Sequence, residues 1–375
     1  MTLRVAVVTE FCPPYRTGFY EMLADKYEVR IFFCNSKESW RAYGDFDYSE
    51  LSGYLFRDRY KITPTVFTHL YRFDPDVIVG APVEGFGGQS SFLYARATNT
   101  PFVLWTGEWH LPLTTLRTVT FPLIRRIYME SDAIAVYGPH ISDYLVDLGV
   151  EEDKISIAWN TVDTGQFSTF NQDRVADLRK EWGIPDDASV ALFVGRLVKE
   201  KGVKYLLDAY KTARAVSEKP TYLLIVGDGD QRTELTEQVD DDHDVIFTGY
   251  INNELLPEYY ALADVFVLPS VVTAEFREPW GLVINEAMSS GTAVITTGQV
   301  GASCIIDEGK NGFVVPERNE AALADRLAEI FENPTMASEM GVQAKKDSKL
   351  YDYERMLDGF DEAVQTAVVR SKNNG

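Results

Sequence analysis

Glu278 and Glu286 stand on either side of a Pro279-Trp280-Gly281 turn, with seven residues between them, where a buried strand gives way to a helix. Upstream, residues 264–270 (DVFVLPS) read as a short strand buried on both faces that ends in a Pro-Ser loop. Downstream, residues 281–290 carry Leu282, Val283, Ala287 and Met288 at helical spacing, and Gly291 stops the run. A helix starting near Gly281 points its unpaired N–H groups and its positive end at the preceding loop, which suits an anion. Glu278 in that loop is placed to reach a sugar, and Glu286 to accept hydrogen bonds from a ribose diol. Alone, the two would be a solvated loop glutamate and a solvated helix glutamate.

They are not alone. After the strand-like ALFV comes Gly195-Arg196-Leu197-Val198-Lys199-Glu200-Lys201-Gly202, then an amphipathic helix. A cationic loop at a strand's carboxyl end suits a diphosphate, with Arg196 as a bidentate fork and Lys201 as a point charge. Asp228 and Asp230 resemble a metal-binding acidic pair, but Arg196 and Lys201 already supply the positive charge, so no metal and no cofactor is expected.

In the first half, residues 10–19 (EFCPPYRTGF) form a loop after the first strand. There Gly18 allows close backbone approach to a ligand, and Arg16 is a candidate for an acceptor phosphate. The loop WTGEWH offers Glu108 and His110 as base, donor or substrate clamp. Residues 113–129 mix Arg117, Arg125 and Arg126 with apolar side chains and contain no acid. Such a stretch fits a helix lying on a membrane surface, or a core helix with three exposed arginines interrupted at Pro122. His69, His140 and His243 read as structural or exposed.

The elements that must position these residues alternate as strand and helix throughout. Candidate strands are 3–9, 29–33, 77–80, 102–105, 133–137 and 155–158, then 190–194, 222–226, 245–248, 265–268, 293–296 and 312–315. The pattern predicts an α/β protein of two Rossmann-like, doubly wound parallel-sheet domains facing a central cleft. Ligands of such sheets gather beyond the carboxyl ends of the strands. The predicted division is 1–165 for the first domain, 166–350 for the second, and 351–375 as a helix packing back on the first domain with a loose tail.

Bulk properties exclude several classes. The net charge of −21 argues against a nucleic-acid partner, since phosphate backbones are met by basic patches, and suits a salty cytoplasm. Residues 1–165 hold 15 Lys and Arg against 21 acids, so most of the excess lies in the second half. The first half is therefore the one expected to meet an anionic surface. Neither a leader nor a membrane span is expected, and three scattered cysteines fit reduced thiols in a cytoplasm, possible contact with the inner face of the membrane being peripheral.

These motifs resemble the retaining glycosyltransferases of family 4, with the GT-B arrangement of two Rossmann-like domains. The resemblance runs through GRLVKEKG, VGDGDQ, GYINNELLPEYYALADVFVLPS, EPWGLVINEAMSSGTAVI and NGFVVP, and reaches back to Asn160-Thr161-Val162-Asp163. It implies a nucleotide-sugar donor in the second domain, 166–350, with Gly18 of the first also reaching the donor, and a variable acceptor bound by the first domain, 1–165. Arg196 and Lys201 would bind the donor's diphosphate and Glu286 its ribose, while Glu278 and the amides of Trp280, Gly281, Leu282 and Val283 would bind the transferred sugar. The first half departs in two places: Thr17 stands before Gly18 where the family often has a second glycine, and His110 comes five residues after Trp105.

The expected reaction is transfer of a hexose from a UDP-, GDP- or ADP-type donor to a glycan, in particular one carried on a lipid phosphate. Retention follows if the acceptor attacks from the leaving-group side and a diphosphate oxygen takes its proton. The rivals are a nucleotide-sugar epimerase of the same architecture and an inactive sugar-nucleotide-binding protein. An epimerase would isomerise the donor without an acceptor, and an idle protein predicts damaged motifs. Sugar, base and acceptor depend on pocket walls that motifs do not describe.

Overall fold

The computed structural model of the chain describes residues 2–35, 42–56, 60–83, 85–110, 115–239 and 243–374. It divides into two compact units, Met1–Thr161 with Tyr353–Gly375, and Val162–Asp352. The division falls slightly earlier than 165/166 for a local reason. Asn160 is held by Arg16 of the first unit, whereas Asp163 already caps the first helix of the second, accepting from the Gly165 and Gln166 amides.

The first unit contains β1 (Arg4–Thr9), β2 (Glu28–Phe33), β3 (Tyr48–Glu50), the short antiparallel pair β4 (Tyr54–Phe56) and β5 (Tyr60–Ile62), then β6 (Val77–Gly80), β7 (Phe102–Thr106), β8 (Ala133–Val136) and β9 (Ile155–Ile157). Seven of these form one parallel sheet in the order β3-β2-β1-β6-β7-β8-β9. Three of its helices matter here: α1 (Thr17–Lys26), α2 (Thr115–Glu130) and the terminal helix Tyr353–Asn374. The terminal helix is part of this unit. Its Met356, Phe360, Ala363, Val364 and Ala367 are fully buried with Phe19 and Trp105. The Phe360 ring stands edge-on to Phe19 and Trp105 at 5.4 and 5.5 Å. Burying such a side chain contributes roughly 2–3 kcal/mol, which secures a helix so distant in sequence.

The second unit is a parallel sheet of β10 (Ser189–Val194), β11 (Thr221–Val226), β12 (Val245–Gly249), β13 (Val265–Leu268), β14 (Ala293–Thr297) and β15 (Gly312–Val315), in the order β12-β11-β10-β13-β14-β15. β10, β13 and β14 are buried along their whole length, as parallel strands covered on both faces must be. The strand order reverses between β10 and β13, so the loops leaving those two strands diverge to opposite faces and open the crevice where such sheets bind ligands. Around it lie α3 (Val203–Val216), α4 (Leu256–Leu262) and α5 (Val283–Ser290).

Helix α2 differs from the sequence expectation in two ways. It runs unbroken through Pro122, which is exposed, so the carbonyl four residues earlier can turn to water. Arg117 is buried rather than exposed. The outer face instead presents Val119, Pro122, Leu123 and Arg126 at helical spacing, while Leu113 and Thr114 lie outside the described residues. No helix among the described residues is long and apolar enough to cross a membrane.

Candidate functional site

The carboxyl ends of β10 and β13 carry the cationic loop and the glutamate loop, and backbone contacts hold the two together. The Val271 N–H donates to the Glu200 carbonyl at 2.9 Å. Gly202, at φ +68°, follows a short 3-10 turn (Lys199–Lys201) and opens α3; a Cβ there would lie 2.1 Å from the Pro269 carbonyl oxygen. Only a residue without a side chain lets the two loops approach this closely.

That contact brings Lys201 to Glu278. Its Nζ donates to Oε2 at 2.5 Å, with both side chains largely buried (14% and 10% exposed). Arg196, one turn earlier, is exposed and among the described residues meets no carboxylate. The loop therefore offers one cation held against an acid and one presented to solvent. Together they suit an anion with two phosphates.

Beyond Glu278 the chain turns at Gly281, whose φ of +93° and contacts with Val300 and Leu268 leave no room for a side chain. The Ile284 and Glu286 amides close on the Gly281 and Leu282 carbonyls. The earlier amides of Leu282 and Val283 thus open the helix mouth. Helix α5 begins at Val283, two residues later than its sequence pattern indicates, because Gly281 is non-helical. The Glu278 and Trp280 carbonyls are tied to the Gly301 and Ala302 amides, which fixes the turn from its other side. The Trp280 ring is not part of the helix mouth: it is buried, and its Nε1 donates to Asn285 Oδ1 at 2.8 Å, bracing the first turn. Any role for Trp280 toward a donor falls to its backbone.

Glu286 is buried in α5 and accepts a hydrogen bond from the Tyr260 hydroxyl of α4 at 2.7 Å. Tyr260 is a residue that sequence reasoning missed; its YYALAD setting carries no signal of an acid partner. Burial pushes the Glu286 carboxyl up to about 7, against which the Tyr260 bond acts only partly. The folded protein then holds a proton between about pH 4.5 and 7 that the unfolded chain has lost, so this site makes stability fall as pH rises through that window. The loss amounts to roughly 3 kcal/mol. Urea melts at pH 5 and 8 are expected to show that difference between wild type and Glu286→Gln, whose neutral amide does not titrate; parallel pH dependence would rule the buried carboxyl out as its source.

In the first unit the structure corrects three expectations. Arg16 is buried: its guanidinium donates to Asn160 Oδ1 at 2.5 Å and Met356 Sδ at 3.1 Å, and lies 4.6 Å from the centre of the Trp105 ring. An arginine so enclosed ties the terminal helix and Asn160 into the first unit instead of holding an acceptor phosphate. Gly18, in the first turn of α1, makes room for the Tyr353 ring, which a Cβ would meet at 2.8 Å, so its close approach is to that ring and not to a donor. Glu108 is ion-paired with the buried Arg117 and is no open acceptor clamp. His110 is half-buried and stands immediately before residues 111–114, which lie outside the described residues. In the second unit, Asp228 pairs with Arg232 at 3.6 Å and accepts from the Gly229 amide, as a loop-closing residue.

Three comparisons bear on this arrangement. The family model of glycosyl transferases group 1 matches residues 175–347. An uncharacterized glycosyltransferase of Methanocaldococcus jannaschii is 32% identical over 200 residues, 52% of this chain and 50% of that protein. A GDP-mannose-dependent alpha-mannosyltransferase of Corynebacterium glutamicum is 30% identical over 261 residues, 67% of this chain and 58% of that protein. The chain spans about half the length of the curated relatives it matches. Among solved structures, Anabaena Alr3699/HepE in complex with UDP aligns with a TM-score of 0.75 at 17% identity, covering 97% of this chain and 100% of that one. That likeness establishes the GT-B fold.

Proposed function

We propose, from the match of residues 175–347 to the glycosyl transferases group 1 family, that the chain is a member of that family and a retaining hexosyltransferase using a nucleotide-diphosphate sugar. The observation that carries this reading is the Lys201–Glu278 pair beside the mouth of α5, with Glu286 in the same helix. The relatives support the donor class: one is named for GDP-mannose, and a structural neighbour was solved with UDP.

In this mechanism the donor diphosphate draws Lys201 and Arg196 to itself, and the Leu282 and Val283 amides face it. Glu278, relieved of its lysine, accepts from hydroxyls of the hexose. The bond from the anomeric carbon to the diphosphate oxygen breaks with its electron pair going to the diphosphate, where fixed positive charge stabilises it. An acceptor hydroxyl attacks from the same side, and its proton passes to a diphosphate oxygen. No protein nucleophile and no metal takes part in the scheme. Glu286 holds the ribose diol, whose hydroxyls favour its ionised form. His110 remains a candidate to position the acceptor.

The acceptor is a glycan, carried on a lipid phosphate at the inner face of the cell membrane. The outer face of α2 supports this: Val119 (72% exposed) and Leu123 lie beside Arg126 on a helix with a single acid, Glu130. The test is a donor screen of UDP-, GDP- and ADP-hexoses by thermal shift, followed by analysis of the anomeric product. One nucleotide class is expected to raise the melting point, with a retained linkage in the product; no stabilisation by any of them, or isomerised donor without acceptor, would overturn the reading. The same preparation is expected to float with anionic liposomes and to lose that property on Val119→Asp with Leu123→Asp. Equal flotation would remove the membrane contact.

A further inference from the structure

The glutamate loop and α5 meet at a pliant joint. Gly281, at φ +93°, links them, and glycine has the widest range of backbone angles of any residue. On the strand side of the joint the backbone is held from outside: the Gly301 N–H donates to the Glu278 carbonyl at 3.2 Å, and the Ala302 N–H to the Trp280 carbonyl at 2.8 Å. On the helix side, the Ile284 N–H donates to the Gly281 carbonyl at 2.9 Å. Across the joint runs a side-chain bond, from Trp280 Nε1 to Asn285 Oδ1 at 2.8 Å, and both residues are 1% exposed. That length is normal for a well-formed N–H···O bond, and burial keeps water from competing for either group.

Asparagine is a demanding residue to bury at that place. Ile284, Ala287 and Met288 of the same helix are fully buried and apolar, and the Asn285 Nδ2 meets no acceptor among the described residues. A buried amide nitrogen in that position opposes folding, whereas a leucine of similar size has nothing to satisfy. Stability alone would favour leucine. What the asparagine supplies is an acceptor for the Trp280 indole, and through it a fixed angle between loop and helix. Two groups of the donor reading depend on that angle. The Glu278 stem packs over the joint, its Cγ 3.7 Å from where a Cβ on Gly281 would stand, and the Leu282 and Val283 amides follow directly after it. Arg196 and Lys201 leave β10 on the neighbouring loop, which the Trp280–Asn285 bond does not span.

We infer that Asn285 is a positioning residue for sugar transfer: by holding the Trp280 indole it locks the Gly281 joint, and with it the Glu278 carboxylate and the two mouth amides, in the arrangement that meets the donor. This rests on the transferase reading and adds to it a residue that acts through Trp280 without touching donor or acceptor. Its signature is a split, in which turnover falls while stability and most of the nucleotide affinity remain.

Asn285→Leu, Trp280→Phe and the double variant of the full chain test it. Each single substitution is expected to lower kcat with the sugar donor about tenfold, the scale of one buried hydrogen bond, and to leave affinity for free UDP, GDP or ADP, whichever stabilises the wild type, within about threefold. The double variant should match the single ones, because all three lack the same bond. Asn285→Leu should melt no lower than wild type. Hydrogen exchange gives a readout that needs no activity: the amides of residues 280–284 are expected to exchange about tenfold faster in both single variants, while those of β13 keep their wild-type rates. Turnover within about twofold of wild type in both single variants, additive losses in the double, unchanged exchange at 280–284, or an Asn285→Leu melting point that falls in step with turnover each overturns the inference. A wild type inactive on every nucleotide hexose sinks the transferase reading instead, and the exchange rates then still decide whether the bond locks the joint.

Discussion

Replacing Lys201 by alanine is expected to lower kcat/KM for the sugar donor about a thousandfold, the scale on which removing one preorganised electrostatic group acts. Two losses combine in that figure. The leaving diphosphate loses a fixed positive charge, and Glu278, largely buried beside it, loses the cation against which it rests. Removing one partner of such a pair leaves the other charge uncompensated, which is typically worth about 3–5 kcal/mol of destabilisation. Glu278→Ala is therefore expected to fall by a similar factor, for the complementary reason. Because the two residues act as one unit, the double variant should be little worse than either single one. Lys201→Arg keeps the charge and should recover part of the activity. Steady-state donor turnover on the four variants, with urea melts to account for folding, decides the matter. Activity within about threefold of wild type in both alanine variants, or strict additivity in the double, would remove the pair from the mechanism.

Much of this site was legible in the sequence because local rules govern its parts. The six strands of the second sheet show as short apolar runs, and β10, β13 and β14, covered on both faces, leave no alternation to obscure them. The cationic loop and the glutamate loop fall at strand ends where a doubly wound sheet collects ligands. What the sequence does not carry is the juxtaposition. Lys201 and Glu278 meet across 77 positions, and Tyr260 reaches Glu286 from another helix. The first unit was harder for the same reason. Arg16 looks like an available loop cation until Trp105, Asn160 and Met356 close around it, and Gly18 looks like a ligand approach until Tyr353 arrives from the far end of the chain. β3 (Tyr48–Glu50) has no apolar run, because an edge strand of three exposed or half-exposed residues buries too little to need one.

The second large effect is expected from Gly202→Ala, and a matched control separates its causes. Gly202 and Gly183 share nearly the same left-handed φ, +68° and +67°. Gly183 ends the helix Gln172–Glu181, with its amide on the Lys180 carbonyl and the Ile184 amide on that of Arg179, and a Cβ there meets nothing within 4 Å. Alanine at Gly183 therefore costs only the left-handed conformation, about 1–2 kcal/mol. Alanine at Gly202 incurs that same penalty and drives its Cβ to 2.1 Å from the Pro269 oxygen, a backbone atom that cannot swing aside. Either the cationic loop or the loop after β13 must shift, for a total of about 4 kcal/mol or more. The shift separates Lys201 from Glu278, so donor turnover should fall with stability in Gly202→Ala and stay near wild type in Gly183→Ala. Equal losses in the two variants would mean that backbone conformation alone accounts for Gly202. The seam between the two loops would then be incidental to how the pair is held. A larger loss at Gly202 that also weakens nucleotide binding ties the close backbone contact at the β10–β13 switch to the chemistry it positions.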